Sequence, residues 1–315
     1  MNKPLVILTG PTAVGKTKIS IELAKKINGE IISADSMQIY KYMNIGSAKI
    51  SKEEMQGIPH YLIDELCPRD EFNVAKFKEM ALAAMDIIYN KGKVPIIVGG
   101  TGFYIQAILY DIDFSKGSED TKYRRDLEEL LTAKGKEALH NMLGEIDPVA
   151  AREIHPNNTK RVIRALEYWN SSGEKISDHN EKERKKDSPY NFVYFVLNDE
   201  RERLYERINR RVDEMISQGL VNEVKGLKDM GLSRGLVSMQ GLGYKEVLDY
   251  LDGKYSYDEM VYTIKRDTRH FAKRQLTWFR RERDVTWIDK EKYAYNTDSI
   301  VQEMCNILSV KDIYY

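Results

Sequence analysis

Leu5-Val6-Ile7-Leu8 is an unbroken apolar run closed by Thr9-Gly10, the pattern of a strand buried on both faces of a parallel sheet. After the loop Gly10 to Thr17, Ile19, Leu23 and Ile27 recur every four residues and predict a helix with one core-facing stripe, stopped by Asn28-Gly29. Glu30 to Asp35 predicts a second strand, and Val94 to Val98, ahead of Gly99-Gly100, a third. Strand, helix and strand in this order, with solid apolar strands, predict an α/β fold with a P-loop NTPase-like parallel sheet as its core.

The middle of the chain follows another rule. From about Lys116 to Pro189 the spacing is helical, with Arg124 to Leu131, Glu137 to Leu143 and Thr159 to Trp169 as helices and no good strand. Glu181 to Pro189 reads as a charged linker, and Phe192 to Leu197 restores a strand. The expected organisation is therefore core over 1–115, a small all-helical insertion over 116–190, core again over 191–290 and a tail over 291–315. In the second core part, Arg201 to Lys228 and Tyr257 to Arg283 predict long helices, and Val285 to Ile288 a last strand.

Composition narrows the class. Among 315 residues there are only two cysteines, Cys67 and Cys305, far apart, which excludes a disulfide framework or a zinc cluster. No stretch approaches the apolar length of a membrane span, and MNKPLVILTG is too short-cored for a signal peptide, so a cytoplasmic protein without membrane contact is expected. The 49 Lys and Arg balance the 49 Asp and Glu, yet the balance is not local. Between Ile264 and Asp284 lie Lys265, Arg266, Arg269, Lys273, Arg274, Arg280, Arg281 and Arg283 against three acids, enough for a basic face on a neutral molecule. A solvated helix surface would look the same.

Gly10-Pro11-Thr12-Ala13-Val14-Gly15-Lys16-Thr17 matches the P-loop pattern between a strand and a helix. Its glycines let backbone N–H groups turn inward on phosphate oxygens, Lys16 reaches the terminal phosphates, and the Thr17 hydroxyl can ligate Mg²⁺. A nucleotide is the usual guest, but any diphosphate with Mg²⁺ meets the same requirements. Asp35 falls at the carboxyl end of the second strand, on the sheet edge where open α/β folds bind ligands. There it could order Mg²⁺-bound water, hold a substrate hydroxyl, act as a general base or merely cap the next turn.

Further blocks extend over most of the chain. They include Ala34-Asp-Ser-Met-Gln-Ile-Tyr40, Asn44-Ile-Gly-Ser-Ala-Lys49, Gly57-Ile-Pro-His-Tyr-Leu-Ile-Asp64 and Pro95-Ile-Ile-Val-Gly-Gly-Thr-Gly-Phe-Tyr104. Lys160-Arg-Val-Ile-Arg-Ala-Leu-Glu167, Gly241-Leu-Gly-Tyr-Lys-Glu246 and Ala272-Lys-Arg-Gln-Leu-Thr-Trp-Phe-Arg280 continue the series. Together with the P-loop they resemble the tRNA dimethylallyltransferases, also called tRNA isopentenyltransferases, in their bacterial form. Ser47 departs from the commoner threonine, and no Cys/His finger follows Trp287.

The resemblance implies transfer of a dimethylallyl group from dimethylallyl diphosphate to N6 of the adenosine 3′ of the anticodon, in tRNAs reading codons that begin with U. It implies Gly10 to Thr17 as the diphosphate loop, Thr17 as a Mg²⁺ ligand, and Thr12, Asp35 and Arg211 as catalytic residues, Asp35 being the general base. Arg207 and Arg210 stand beside Arg211 as alternatives for the arginine on the leaving diphosphate. For the anticodon stem-loop it implies Asp35, Ser36, Met37, Gln38, Thr101 in the loop after the third strand, Arg124, Lys160, Arg161, Val162, Ile163, Arg164, Gln240, Gly241, Leu242, Gly243, Tyr244 and Lys245. Gln38 has the paired donor and acceptor that an adenine edge requires. The basic helix would meet phosphates, with Trp278 and Phe279 expected in the core. A monomer is expected. Three other readings share the P-loop: a small-molecule kinase, a transferase prenylating free adenylate, and an ATP-dependent RNA-handling module. The first does not explain the insertion or the basic helix, and the Lys160 to Arg164 block speaks against the second. Label from dimethylallyl diphosphate entering tRNA without ATP would separate all three from the favoured reading.

Overall fold

The computed structural model describes residues 2–114 and 121–313. In chain order the elements are β1 (Lys3–Thr9), α1 (Lys16–Lys26), β2 (Gly29–Ala34), β3 (His60–Tyr61), α2 (Val74–Asn90), β4 (Val94–Gly99) and α3 (Gly102–Leu109). Then come α4 (Thr121–Ile146), α5 (Pro148–Glu153), α6 (Thr159–Ser172), α7 (Ile176–Arg184), β5 (Tyr190–Asn198), α8 (Arg201–Ser217) and α9 (Leu220–Asp229). The series ends with α10 (Tyr244–Leu251), α11 (Tyr257–Phe279), β6 (Val285–Asp289) and α12 (Thr297–Val310). Two compact units result: Met1–Ile108 with Tyr190–Tyr315, and Leu109–Pro189. The boundary expected between 115 and 116 lies outside the described residues.

The first unit is built on a parallel sheet of order β3-β2-β4-β1-β5-β6. β1 is central, with Val6 opposite Ile96 on one side and Val193 on the other. Leu5 to Leu8, Ile96, Ile97 and Tyr194 to Leu197 are fully buried, as strands covered on both faces must be. Ile19, Leu23 and Ile27 do bury the predicted stripe of α1, against a core that also holds Ile300, Met304 and Leu308 of α12. Residues 291–315, expected as a tail, thus contribute a core helix. Phe77, Ala81, Met85 and Ile88 of α2 are buried at the same helical spacing, and Asn73 caps that helix by accepting the Lys76 N–H at 3.0 Å.

Two expected helices end early. Arg201 to Lys228 is broken between α8 and α9 at Gly219, whose φ of +100° is left-handed and opens the second helix rather than continuing the first. α11 stops at Phe279.

The second unit is helical, with no strand among its described residues. Gly135, at φ +80°, breaks α4 into two arms that match the two predicted helices. Leu127, Leu139, Leu143, Val162, Ile163 and Leu166 form its core. The Asp147 carboxylate caps α5 through the Ala150 N–H at 2.9 Å and accepts the Ser177 N–H at 2.9 Å, joining α7 to α5. Glu181 to Arg184, expected in a linker, complete α7.

Candidate active site

The loop between β1 and α1 has three left-handed residues, Gly10 (φ +148°), Ala13 (φ +62°) and Gly15 (φ +98°). A Cβ on Gly10 would stand 2.6 Å from the Leu197 carbonyl oxygen, so only glycine fits there. Gly15 precedes α1 without capping it, leaving the first amides of the helix directed at a ligand position. The carbonyls on the outside of the loop are gripped from afar. Arg207 Nε donates to Ala13 O at 2.7 Å, and buried Lys290 Nζ donates to Val14 O at 2.9 Å while pairing with Asp199. Gln275 Oε1 accepts the Thr12 N–H at 2.9 Å. Together these contacts hold the curl that a phosphate needs.

Lys16 Nζ lies back on the loop, donating to Gly10 O at 3.0 Å and Pro11 O at 2.9 Å. Burial, and then the Arg211 guanidinium, pull it down to about 8, against the opposing charge of Asp35. Arg211 reaches in from α8; burial lowers its pKa, and Asp35 counters the effect. Asp35 directly follows β2, and its Oδ1 accepts the N–H groups of Met37 at 2.8 Å and Gln38 at 3.3 Å. That fixes the carboxylate by its own turn and leaves the other oxygen for different work.

Thr12, Lys16, Asp35, Thr101 and Arg211 line one cavity of about 460 Å³. Its apolar wall comes from Ile208, Val212 and Met215 at successive turns of α8, and from Ile264 and Phe271, two turns apart on α11. Ala13, Ser36, Met37, Gln240, Gly241, Leu242, Gly243 and Lys245 complete the sequence-predicted residues found there. Of the rival arginines, Arg207 holds the loop's outside, and Arg210 is exposed and pairs with Glu214 at 3.6 Å. Only Arg211 faces the cavity. Thr17 is exposed on the first turn of α1.

Sequence comparison gives the family. The family profile described as IPP transferase matches residues 38–282. The chain is 63% identical, over 99% of both chains, to a tRNA dimethylallyltransferase of Lachnoclostridium phytofermentans. The chain belongs to the IPP transferase family. It is 55% identical over the full length of both chains to a tRNA dimethylallyltransferase of Acetivibrio thermocellus. It also resembles the crystal structure of the tRNA isopentenylpyrophosphate transferase of Bacillus halodurans, at 46% identity and a TM-score of 0.74, covering 98% of this chain and 96% of the other.

In this IPP transferase several residues expected at the RNA also make contacts within the protein. Tyr244 is fully buried, its ring pressed on Gly46 and its hydroxyl donating to Glu223 Oε1 at 2.8 Å. That same carboxylate accepts three consecutive amides, from Asn44 and Ile45 at 2.8 Å and Gly46 at 3.1 Å. Glu223 and Tyr244 therefore hold the segment whose Gly46, Ser47 and Ala48 form part of the cavity wall. Gln38 supports the same wall: its amide nitrogen faces Ser47 O and Ala48 O, and its oxygen accepts from Ser33. Both ends of its amide thus have partners within the protein.

In the helical unit, Lys160 and Arg161 are exposed and Arg164 is half-buried, but Val162 and Ile163 are core residues and present no side chain to RNA. One turn of helix cannot expose five successive residues. Arg124 pairs with Glu128 at 3.8 Å and Glu167 at 3.5 Å.

The basic run on α11 is also divided by helical phase. Lys265 pairs with Asp213, Arg269 donates to Asn209, and Arg266 pairs with Asp267. Lys273, Arg274 and Arg281 line a separate hollow of about 400 Å³ with His270, Thr277 and Trp278. Phe279 is core as expected. Trp278 is not: it is 36% exposed, edge-on to Phe103, with its indole N–H bonded to Glu282. Among the described residues no helix is long and apolar enough to cross a membrane. Sequence reasoning missed Gln275, Lys290 and Glu223 as functional residues; Gln275 lies in the block Ala272 to Arg280, and the other two lie in none of the blocks.

Proposed function

We propose that this enzyme transfers the dimethylallyl group of dimethylallyl diphosphate to the N6 amine of the adenosine 3′ of the anticodon, acting as a cytoplasmic monomer on the tRNA anticodon stem-loop. The observation that carries the reading is the meeting of Lys16, Arg211 and Asp35 in one cavity at the end of the parallel sheet. As the bond from the allylic carbon to diphosphate oxygen breaks, negative charge grows on the leaving group. The loop amides, Lys16 and Arg211 are the donors for it, and one well-placed donor contributes about 3–4 kcal/mol to such a step. The amine lone pair forms the new C–N bond, and Asp35 takes the amine proton. A positioned base contributes on the order of 10²–10⁴ in rate.

The donor set also fits Mg²⁺ in one way. Among the described residues no three His, Cys, Asp or Glu are placed to hold an ion. Mg²⁺ binds readily through one protein oxygen together with phosphate oxygens and water, and the Thr17 hydroxyl would supply that protein oxygen. Bound there, Mg²⁺ would neutralise charge on the diphosphate.

The acceptor base has to leave its stack to reach an enclosed allyl group. Lys245, Met37 and Leu242 in the cavity, and the Lys273–Arg281 hollow outside it, are the surfaces available for the loop and its phosphates. Incubating the protein with labelled dimethylallyl diphosphate and undermodified tRNA, without ATP, tests the proposal. Label entering the RNA is expected, whereas label that stays in the diphosphate refutes it.

A further inference from the structure

Gln275 is only 6% exposed, yet its side chain reaches two substrate-facing loops at once. Its Oε1 accepts the Thr12 N–H at 2.9 Å, and its Nε2 donates to the Gly100 carbonyl at 2.9 Å. The orientation follows from chemistry, because an amide N–H needs an acceptor and a carbonyl needs a donor. A Cβ on Gly100 would overlap the Gln275 amide nitrogen, so the close approach requires glycine there. One residue further on, the Thr101 N–H donates to the carbonyl of Ala34, the residue before Asp35.

A continuous path therefore runs from the P-loop at Thr12, through one side chain of α11, to the loop after β4 and on to the carboxylate after β2. We infer that Gln275 is a positioning residue that sets the spacing between the diphosphate grip and Asp35. This rests on the transfer reaction proposed above. Glutamine suits the task because it offers a donor and an acceptor in one plane; methionine of similar shape offers neither. Glutamate offers both only when protonated, since its ionised form would set a carboxylate oxygen against the Gly100 carbonyl.

The test compares the full chain with Gln275→Met and Gln275→Glu in steady-state transfer. Misplacing reacting groups by about 1 Å costs on the order of 10²-fold, so Gln275→Met should lose about 10- to 100-fold in kcat while KM for dimethylallyl diphosphate and tRNA stays within about threefold. For Gln275→Glu, the ratio of its kcat to that of the parent should rise as pH falls, because the protonated acid rebuilds both bonds. A kcat for Gln275→Met close to that of the parent, or a loss confined to KM for tRNA, overturns the inference. Hydrogen exchange at the Thr12 amide reads the bridge without turnover. It should be slow in the parent and at least tenfold faster in Gln275→Met, and equal rates overturn the inference even if the parent transfers no prenyl group.

Discussion

Raising the pH above 8 should weaken the grip on diphosphate through one residue. Lys16 lies on the Gly10 and Pro11 carbonyls, and burial and Arg211 bring it from its ordinary 10.5 to about 8. A lysine with a lowered pKa is fully charged below that value and loses its proton as pH rises through it. At pH 9 the ligand-free protein keeps the proton on about one molecule in eleven. Incoming dimethylallyl diphosphate, an ester whose last phosphate proton leaves near about pH 6, restores the charge by drawing a proton from solvent. Supplying it at pH 9 costs about 1.4 kcal/mol, or roughly tenfold in Kd for dimethylallyl diphosphate in the absence of tRNA. Titration calorimetry in two buffers of different ionisation enthalpy should report uptake of about 0.9 proton per site at pH 9 and about 0.1 at pH 7. Lys16→Arg stays charged throughout and should remove both effects. The fold responds with the opposite sign: between about 8 and 10.5 the unfolded chain holds a proton that the folded one has released. Ligand-free stability should therefore rise relative to Lys16→Met across that window. A parent Kd equal at pH 7 and 9, with no proton uptake, would refute the placement of this ammonium.

Asp35→Asn keeps an oxygen for the Met37 and Gln38 amides, so tRNA binding should survive while kcat falls by about 10²–10⁴ in single-turnover transfer. Glu223→Ala leaves the buried Tyr244 hydroxyl and the amides of Asn44 to Gly46 without their acceptor. A loss of about 1–3 kcal/mol, read as a lower urea midpoint, is expected, and an unchanged midpoint would mean that the clamp is ornamental. Lys273→Ala combined with Arg281→Ala should weaken tRNA binding and flatten the plot of log affinity against log salt by about 1.4–1.8 if both residues meet single-stranded or duplex phosphates. An unchanged slope would turn that hollow away from the RNA.

What the sequence discloses about this molecule depends on how far apart the interacting residues lie. Leu5 to Leu8 and Val94 to Val98 announce buried strands because burial on two faces demands apolar residues at every position, and the P-loop announces itself because glycine spacing and chemistry lie within eight residues. Asp35 could be placed at the site for the same reason: the end of β2 is a local feature, and the parallel sheet carries it to the ligand edge. The supports of the loop are not local. Arg207, Gln275 and Lys290 reach it across 194, 263 and 276 residues, and nothing around them in the chain marks their partners. The buried members of the RNA-assigned blocks have a different origin, in motif blocks read as strings. Val162, Ile163 and Leu166 carry the helical spacing that sends them to the core, as do Ile300, Met304 and Leu308 in the expected tail. Tyr244 and Gln38 fit neither explanation, since their types suit an RNA edge and their neighbours do not exclude it. Their assignment turns on the wall built from Asn44 to Ala48, which Glu223 holds from α9. A polar residue beside a site can bind the ligand or build the wall that the ligand meets, and only the position of its partner distinguishes the two.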